Sequence, residues 1–91
     1  MNWEEIGEIK ASKSKEQALR LLKDGFFTPK EISLRLDIHL STVSRTLKAL
    51  EQRGYVKCVN PQRRKGKLFT LMEKGSLLLE RIDSLNKVED K

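Results

Sequence analysis

At Gly54 the hydrophobic pattern of the chain changes period, and this change restricts the choice of fold more than any other feature. Upstream, Val43, Leu47 and Leu50 recur at helical spacing. Downstream, Tyr55 to Val59 alternates as a strand rich in β-branched and aromatic residues. Asn60 and Pro61 then open a turn, and Lys67 to Leu71 reads as the returning strand. A glycine just past a helix end suits the left-handed backbone that closes many helices. The pattern therefore predicts a helix over 41–53, capped by Ser41, followed by a β-hairpin whose loop, 60–67, carries Arg63, Arg64, Lys65 and Gly66.

The segments before this helix read as further short helices. Thr28-Pro29-Lys30-Glu31 has the form of a capping box, with proline at a position where its missing N–H costs nothing. Ile32 and Leu36 share a face of the helix that follows, which runs out near Asp37, and Ile38, His39 and Leu40 form the connection. Ser12 or Ser14 caps an earlier helix, with Ala18, Leu19, Leu21 and Leu22 on its apolar side and Gly25 as its stop. Trp3, Ile6 and Ile9 place an amphipathic helix over 1–10, with Glu4, Glu5 and Glu8 elsewhere on its surface. From Glu73, the residues Leu78, Ile82 and Leu85 make a helical stripe over 73–88, broadened by Leu77, Leu79 and Val88. Three short helices, a basic hairpin and two terminal helices give an α+β, mainly α class: a winged helix-turn-helix with a three-helix core and a β-hairpin wing. A length of 91 residues supports one core, so 1–91 reads as a single domain.

Charge is unevenly distributed along this framework. The net charge is +6, yet from Met1 to Leu40 seven bases balance seven acids, and the stretch from Leu68 onward is slightly acidic. Between Ser41 and Lys67, Arg45, Lys48, Arg53, Lys57, Arg63, Arg64, Lys65 and Lys67 face the single acid Glu51. A surplus confined to one helix and one hairpin calls for a polyanion, and nucleic acid is the polyanion that folded basic domains most often meet.

The helix over 41–53 can be read at about 100° per residue. Val43, Leu47 and Leu50 fall within about 60° of one another, while Ser41, Arg45, Lys48 and Gln52 lie around the opposite pole, with Thr42 and Ser44 on the flanks. Such a face suits the major groove of double-stranded DNA: Arg45 can pair bidentately with guanine, the hydroxyls of Ser41, Thr42 and Ser44 can reach phosphates or base edges, and Lys48 suits a phosphate. Arg63, Arg64, Lys65 and Lys67 can follow the backbone or enter the minor groove.

Other chemistries find little support. Cys58 is the only cysteine and His39 the only histidine, which rules out an internal disulfide and leaves too few ligands for a zinc site within one chain. No nucleophile, base and orienting acid form a set, and no glycine-rich phosphate loop is present, so the chain reads as a non-enzyme without cofactor or metal. Glu4, Glu5 and Glu8 stand where a signal peptide would be basic, and the longest aliphatic run is Leu77 to Leu79, so a cytoplasmic protein without membrane association is expected. The final stripe covers more of its helix than one small domain needs. This predicts a homodimer with Trp3, Ile6, Leu78, Ile82 and Leu85 at its interface and the helices over 1–10 and 73–88 as the joining elements.

Longer stretches carry a family likeness. Ala11-Ser-Lys13, Thr28-Pro-Lys-Glu-Ile-Ser33, the block from Ser41 to Val56 (Ser-Thr-Val-Ser-Arg-Thr-Leu-Lys-Ala-Leu-Glu-Gln-Arg-Gly-Tyr-Val) and the block from Asn60 to Leu71 (Asn-Pro-Gln-Arg-Arg-Lys-Gly-Lys-Leu-Phe-Thr-Leu) resemble small archaeal winged-helix regulators related to the MarR and ArsR families. The most specific of these is 41–56. The resemblance implies DNA binding through the helix over 41–53, a wing contact at 63–65 and a homodimer built from the terminal helices. Met72 departs from the family pattern, which places Thr before the last helix, and no segment for an effector pocket is legible. The expected function is a sequence-specific DNA-binding transcriptional regulator. The rivals are a winged-helix adaptor for protein–protein contact, which has no need of the concentrated charge, and an RNA binder, which calls for more exposed aromatics.

Overall fold

The structure, a computed structural model, describes residues 3–89, with side chains described from Glu4 to Leu85. Its elements run α1 (Trp3–Ala11), α2 (Lys13–Leu22), α3 (Pro29–Leu36), α4 (Leu40–Gln52), β1 (Val56–Cys58), β2 (Phe69–Leu71) and α5 (Glu73–Glu89). Five helices and a two-stranded antiparallel hairpin make up a winged helix-turn-helix among the described residues.

Local chemistry accounts for most helix ends. Thr28 N–H donates to Glu31 Oε1 at 2.8 Å and Glu31 N–H donates to Thr28 Oγ1 at 3.1 Å, which closes the capping box of α3. Those bonds from Thr28 hold the Glu31 carboxyl below its ordinary pKa. At the far end of α4, Gly54 takes φ +80° while its N–H donates to Glu51 O at 3.0 Å and Tyr55 N–H donates to Leu50 O at 3.0 Å. This paired closure buries Tyr55 and Leu50 against each other's element and turns the chain into β1.

Several boundaries differ from expectation. Helix α4 begins at Leu40, and its cap is His39 rather than Ser41, because Val43 N–H already donates to His39 O at 3.0 Å. Ser41 therefore lies inside the first turn. Ser12 occupies the cap position of α2 without a side-chain capping bond, and α2 ends at Leu22, ahead of Gly25. The strands are three residues each, in register Val56↔Leu71, Lys57↔Thr70 and Cys58↔Phe69, shorter than the alternating stretches of sequence. A third edge, not foreseen, reinforces the hairpin: Phe27 and Phe69 exchange both backbone bonds, at 3.0 and 2.9 Å, and Thr70 Oγ1 donates to Gly25 O at 3.3 Å.

The core joins every element. Ile6 and Ile9 of α1 meet Ala18, Leu19 and Leu22 of α2, Ile32 of α3, Val43, Leu47 and Leu50 of α4, the hairpin residues Tyr55, Val56 and Phe69, and Leu78, Leu79 and Ile82 of α5. This corrects the expected dimer interface, because Ile6, Leu78 and Ile82 are buried inside a single chain, at 6%, 0% and 0% exposure. Leu85 is half-buried against the same core, and the side chain of Trp3 lies outside the described residues. The broad stripe of α5 is wide because α1 and α2 both pack on it.

The start of α5 needs no threonine cap. Met72 N–H donates to Tyr55 O at 2.8 Å and Ser76 N–H to Met72 O at 2.9 Å, so the first turn is anchored through the backbone. That anchorage leaves no room at Gly75, where an added Cβ would stand 2.5 Å from Tyr55 O and 2.7 Å from Leu71 Cδ1. Gly75→Ala is expected to destabilise the fold by about 1–3 kcal/mol in urea unfolding, through overpacking against main chain that cannot retreat.

Tyr55 itself carries a pH signature. Its hydroxyl is buried without a hydrogen bond of good geometry, and burial, followed by the neighbouring Glu5 carboxylate, pushes its pKa up from 10.0 to about 12. A phenol whose folded pKa is raised stabilises the fold fully below pH 10 and loses that contribution as pH climbs toward 12. Melting temperature should therefore fall more steeply across this window in the wild type than in Tyr55→Phe. Parallel curves would remove the effect.

Candidate nucleic-acid interface

Helix α4 is held by its apolar side and by a bond that sequence reading missed. Thr46 is 6% exposed and shares a hydrogen bond of 3.4 Å with Ser14 of α2. The turn before α4 is clamped as well: Ser33 Oγ donates to Ile38 O at 2.6 Å, Ile38 N–H donates to Ser33 O at 3.2 Å, and Asp37 adopts a left-handed backbone with φ 55°. With those contacts made, Ser41, Ser44, Arg45, Lys48 and Gln52 are exposed, and Thr42 is half-buried.

The basic stretch divides in two according to what its side chains touch. Arg53 Nη2 lies 3.1 Å from Glu8 Oε1 of α1, and Glu8 also binds Lys15 Nζ at 3.1 Å, so Arg53 is committed to a structural network. By contrast, the side chains of Arg45, Lys48, Arg63, Arg64, Lys65 and Lys67 make no ion pair among the described residues. Some cations elsewhere are paired, as Arg20 is with Asp83 at 2.8 Å and Glu16 at 2.9 Å, contacts that raise the pKa of Arg20, while Lys13, Lys23, Lys30, Lys57 and Arg81 make no ion pair among the described residues. What sets α4 and the wing apart is density: Arg45, Lys48, Arg63, Arg64, Lys65 and Lys67 fall in one stretch whose single acid is Glu51.

Lys67 joins those two elements. It lines a groove of about 350 Å³ together with Ser44, Leu47, Lys48 and Glu51 of α4, Pro29 of α3 and Phe69 of β2. Ser44, Lys48 and Lys67 therefore border one depression, with Glu51 as the acid on its wall. Arg63, Arg64 and Lys65 stand fully exposed at the loop tip and outside this groove.

The loop that carries them is organised by Asn60, which sequence reading treated only as a turn opener. Its Oδ1 accepts from Leu68 N–H at 2.7 Å and from Cys58 Sγ at 3.6 Å, its Nδ2 donates to Gly66 O at 3.2 Å, and its carbonyl accepts from Arg63 N–H at 3.1 Å. One side chain thus ties the two ends of the loop together. Asparagine at the first turn position after a strand was the available signal, since its amide can imitate a backbone unit. Cys58 is half-buried beside it.

A family model described as the HVO_A0261 N-terminal domain matches residues 3–91. The chain belongs to that family. Solved structures relate this chain to larger proteins of the same fold. A MarR family protein from Bacillus stearothermophilus superposes with a TM-score of 0.73 at 24% identity, over 86% of this chain and 55% of that one. ZitR of Lactococcus lactis gives 0.69 at 22% identity, over 86% and 60%. FabT of Streptococcus pneumoniae, solved in complex with DNA, gives 0.68 at 22% identity, over 93% and 65%. At these identities the likeness is one of fold, and the domain spans little more than half the length of the first two neighbours. No curated protein matches the sequence. Among the described residues no group of three or more His, Cys, Asp or Glu is placed to hold a metal, and no helix is long and apolar enough to cross a membrane.

The wing of this chain offers a direct check. Asn60→Ala leaves the Leu68 N–H without its partner, a loss of about 1 kcal/mol per bond, so amide exchange at Leu68 should accelerate by about fivefold while exchange within α4 stays unchanged.

Proposed function

We propose that this chain is a sequence-specific double-stranded DNA-binding transcriptional regulator. Helix α4 lies in the major groove and the loop over 60–67 reaches the backbone or the minor groove. Arg45 acts as principal base reader, with Ser41, Thr42, Ser44, Lys48 and Gln52 around it and Arg63, Arg64, Lys65 and Lys67 on the phosphates. One observation carries this reading: Arg45, Lys48, Arg63, Arg64, Lys65 and Lys67 crowd α4 and the wing without an ion pair among the described residues, in a stretch whose single acid is Glu51. An ammonium or guanidinium group held at such density without counter-charge favours a polyanion, and release of the counterions on DNA drives association. The fold shared with a neighbour solved on DNA supports the same assignment.

The whole chain, 1–91, acts as one non-enzymatic domain in the cytoplasm, of the small archaeal type allied to MarR and ArsR regulators. We further propose that it works as a homodimer joined through α1 and α5. Since Ile6, Leu78 and Ile82 are interior, the joining surface falls to the outer side of α5, where Leu77 is 49% exposed and borders a shallow groove with Glu80, Arg81 and Ser84.

Selection of duplexes from a random pool tests both parts. An enriched palindrome with half-sites about 34 Å apart is expected for the dimer. Arg45→Ala should then weaken binding to that site by about 1–3 kcal/mol and relax one position, whereas Lys65→Ala should lower the salt slope by about one. Equal affinity of wild type and Arg45→Ala for every duplex would defeat the assignment.

A further inference from the structure

Leu40 occupies an unusual position at the leading end of α4. It continues the apolar row of Val43, Leu47 and Leu50 by one turn, yet the core reaches Val43 and stops. Leu40 is 51% exposed, and Leu34, at the end of α3, is 73% exposed. The two border a groove of about 320 Å³ with Ser33, Asp37, Ile38 and His39, at the mouth of the helix-turn-helix turn. An exposed leucine by itself signifies little. This one stands next to Ser41 and one turn ahead of Ser44, between the apolar row of α4 and its exposed polar flank.

Side chains on a helix lean toward its N-terminus, so a residue in the first turn projects past the helix end. In a helix-turn-helix the leading residues of the second helix meet the base edges. On those edges one group is apolar, the 5-methyl of thymine. Among the described residues Asp37 is the one acid bordering that groove, and the bases that follow along α4, Arg45 and Lys48, favour nucleic acid over an apolar protein partner.

We infer that Leu40 is a specificity-determining residue that reads a thymine methyl group in the major groove. The inference rests on the DNA-binding reading above and adds to it the identity of one base. A thymine is recognised here by exclusion of water between its methyl group and the Leu40 side chain, beside the hydrogen bonds made by Arg45. Replacing that thymine with deoxyuridine removes the methyl group alone and leaves the pairing and backbone intact.

The experiment uses the duplex selected by the wild-type chain, with each thymine replaced in turn by deoxyuridine. At one position per half-site the wild type should lose about fourfold in affinity, the worth of one buried methyl group. Leu40→Ala should bind the thymine and deoxyuridine duplexes equally, and Leu40→Met, which keeps an apolar side chain, should retain the discrimination. The salt slope should be the same in all three proteins, since no phosphate contact is altered. A wild type indifferent to every replacement, or discrimination that survives in Leu40→Ala, overturns the inference while leaving DNA binding in place. Failure of the wild type to prefer any duplex overturns the DNA-binding reading and this inference with it.

Discussion

Both main-chain polar groups of Tyr55 are committed across the fold: its N–H donates to Leu50 O at the end of α4, and its carbonyl accepts from Met72 N–H at the start of α5. The ring between them is fully buried, with the Lys74 ammonium 5.3 Å above its centroid. Helix α4, the hairpin and α5 therefore share one residue as their junction. Gly54 makes this possible by supplying the left-handed turn, and Gly75 makes it possible by lacking a side chain where α5 crosses the Tyr55 carbonyl. A shift at this junction would tilt α4 relative to the wing, because no other backbone bonds link the end of α4 to the beginning of α5 among the described residues.

The same junction separates two uses of positive charge. On the side of α1, Glu5 meets Lys74 at 3.4 Å and Glu8 meets both Arg53 and Lys15, so that acids drawn from the first helix neutralise the cations around Tyr55. These pairs are partly exposed and each contributes little to stability. Their consequence is distribution: they engage Arg53 with α1 and leave the outward residues of α4 and the wing as the concentrated positive field. An acidic N-terminal helix thus sharpens a basic face that it does not touch.

The wing depends on a different economy. Three-residue strands hold a loop poorly, since a two-stranded ribbon is marginal in water. Here the Phe27 bridge fastens β2 to the body, and Asn60 fastens the loop to itself, so that Arg63, Arg64 and Lys65 extend from a braced base. Lys67, at the root of that base, lines a groove together with Ser44 and Lys48 and ties the wing to α4 in one surface.

Much of this was legible in the chain. The capping box of α3, the glycine closure of α4, the change of period at Gly54, the polar face of α4 and the charge surplus between Ser41 and Lys67 are local features, determined by residues within a few positions of one another. What remained hidden involved partners far apart in sequence: Phe27 with Phe69, Ser14 with Thr46, Glu8 with Arg53. The start of α4 was misplaced because a serine suited to capping stood in the first turn of a helix whose backbone bonding already begins at His39. The apolar stripe of α5 was taken for a joining surface because periodicity reports how much of a helix is apolar and not which neighbour covers it. Sequence alone determined which elements form and which of their faces are apolar or charged, since both follow from short-range sterics and spacing. Only the tertiary structure decided which apolar faces meet within the chain and which cations stay unpaired, because burial and ion pairing depend on residues brought together by packing.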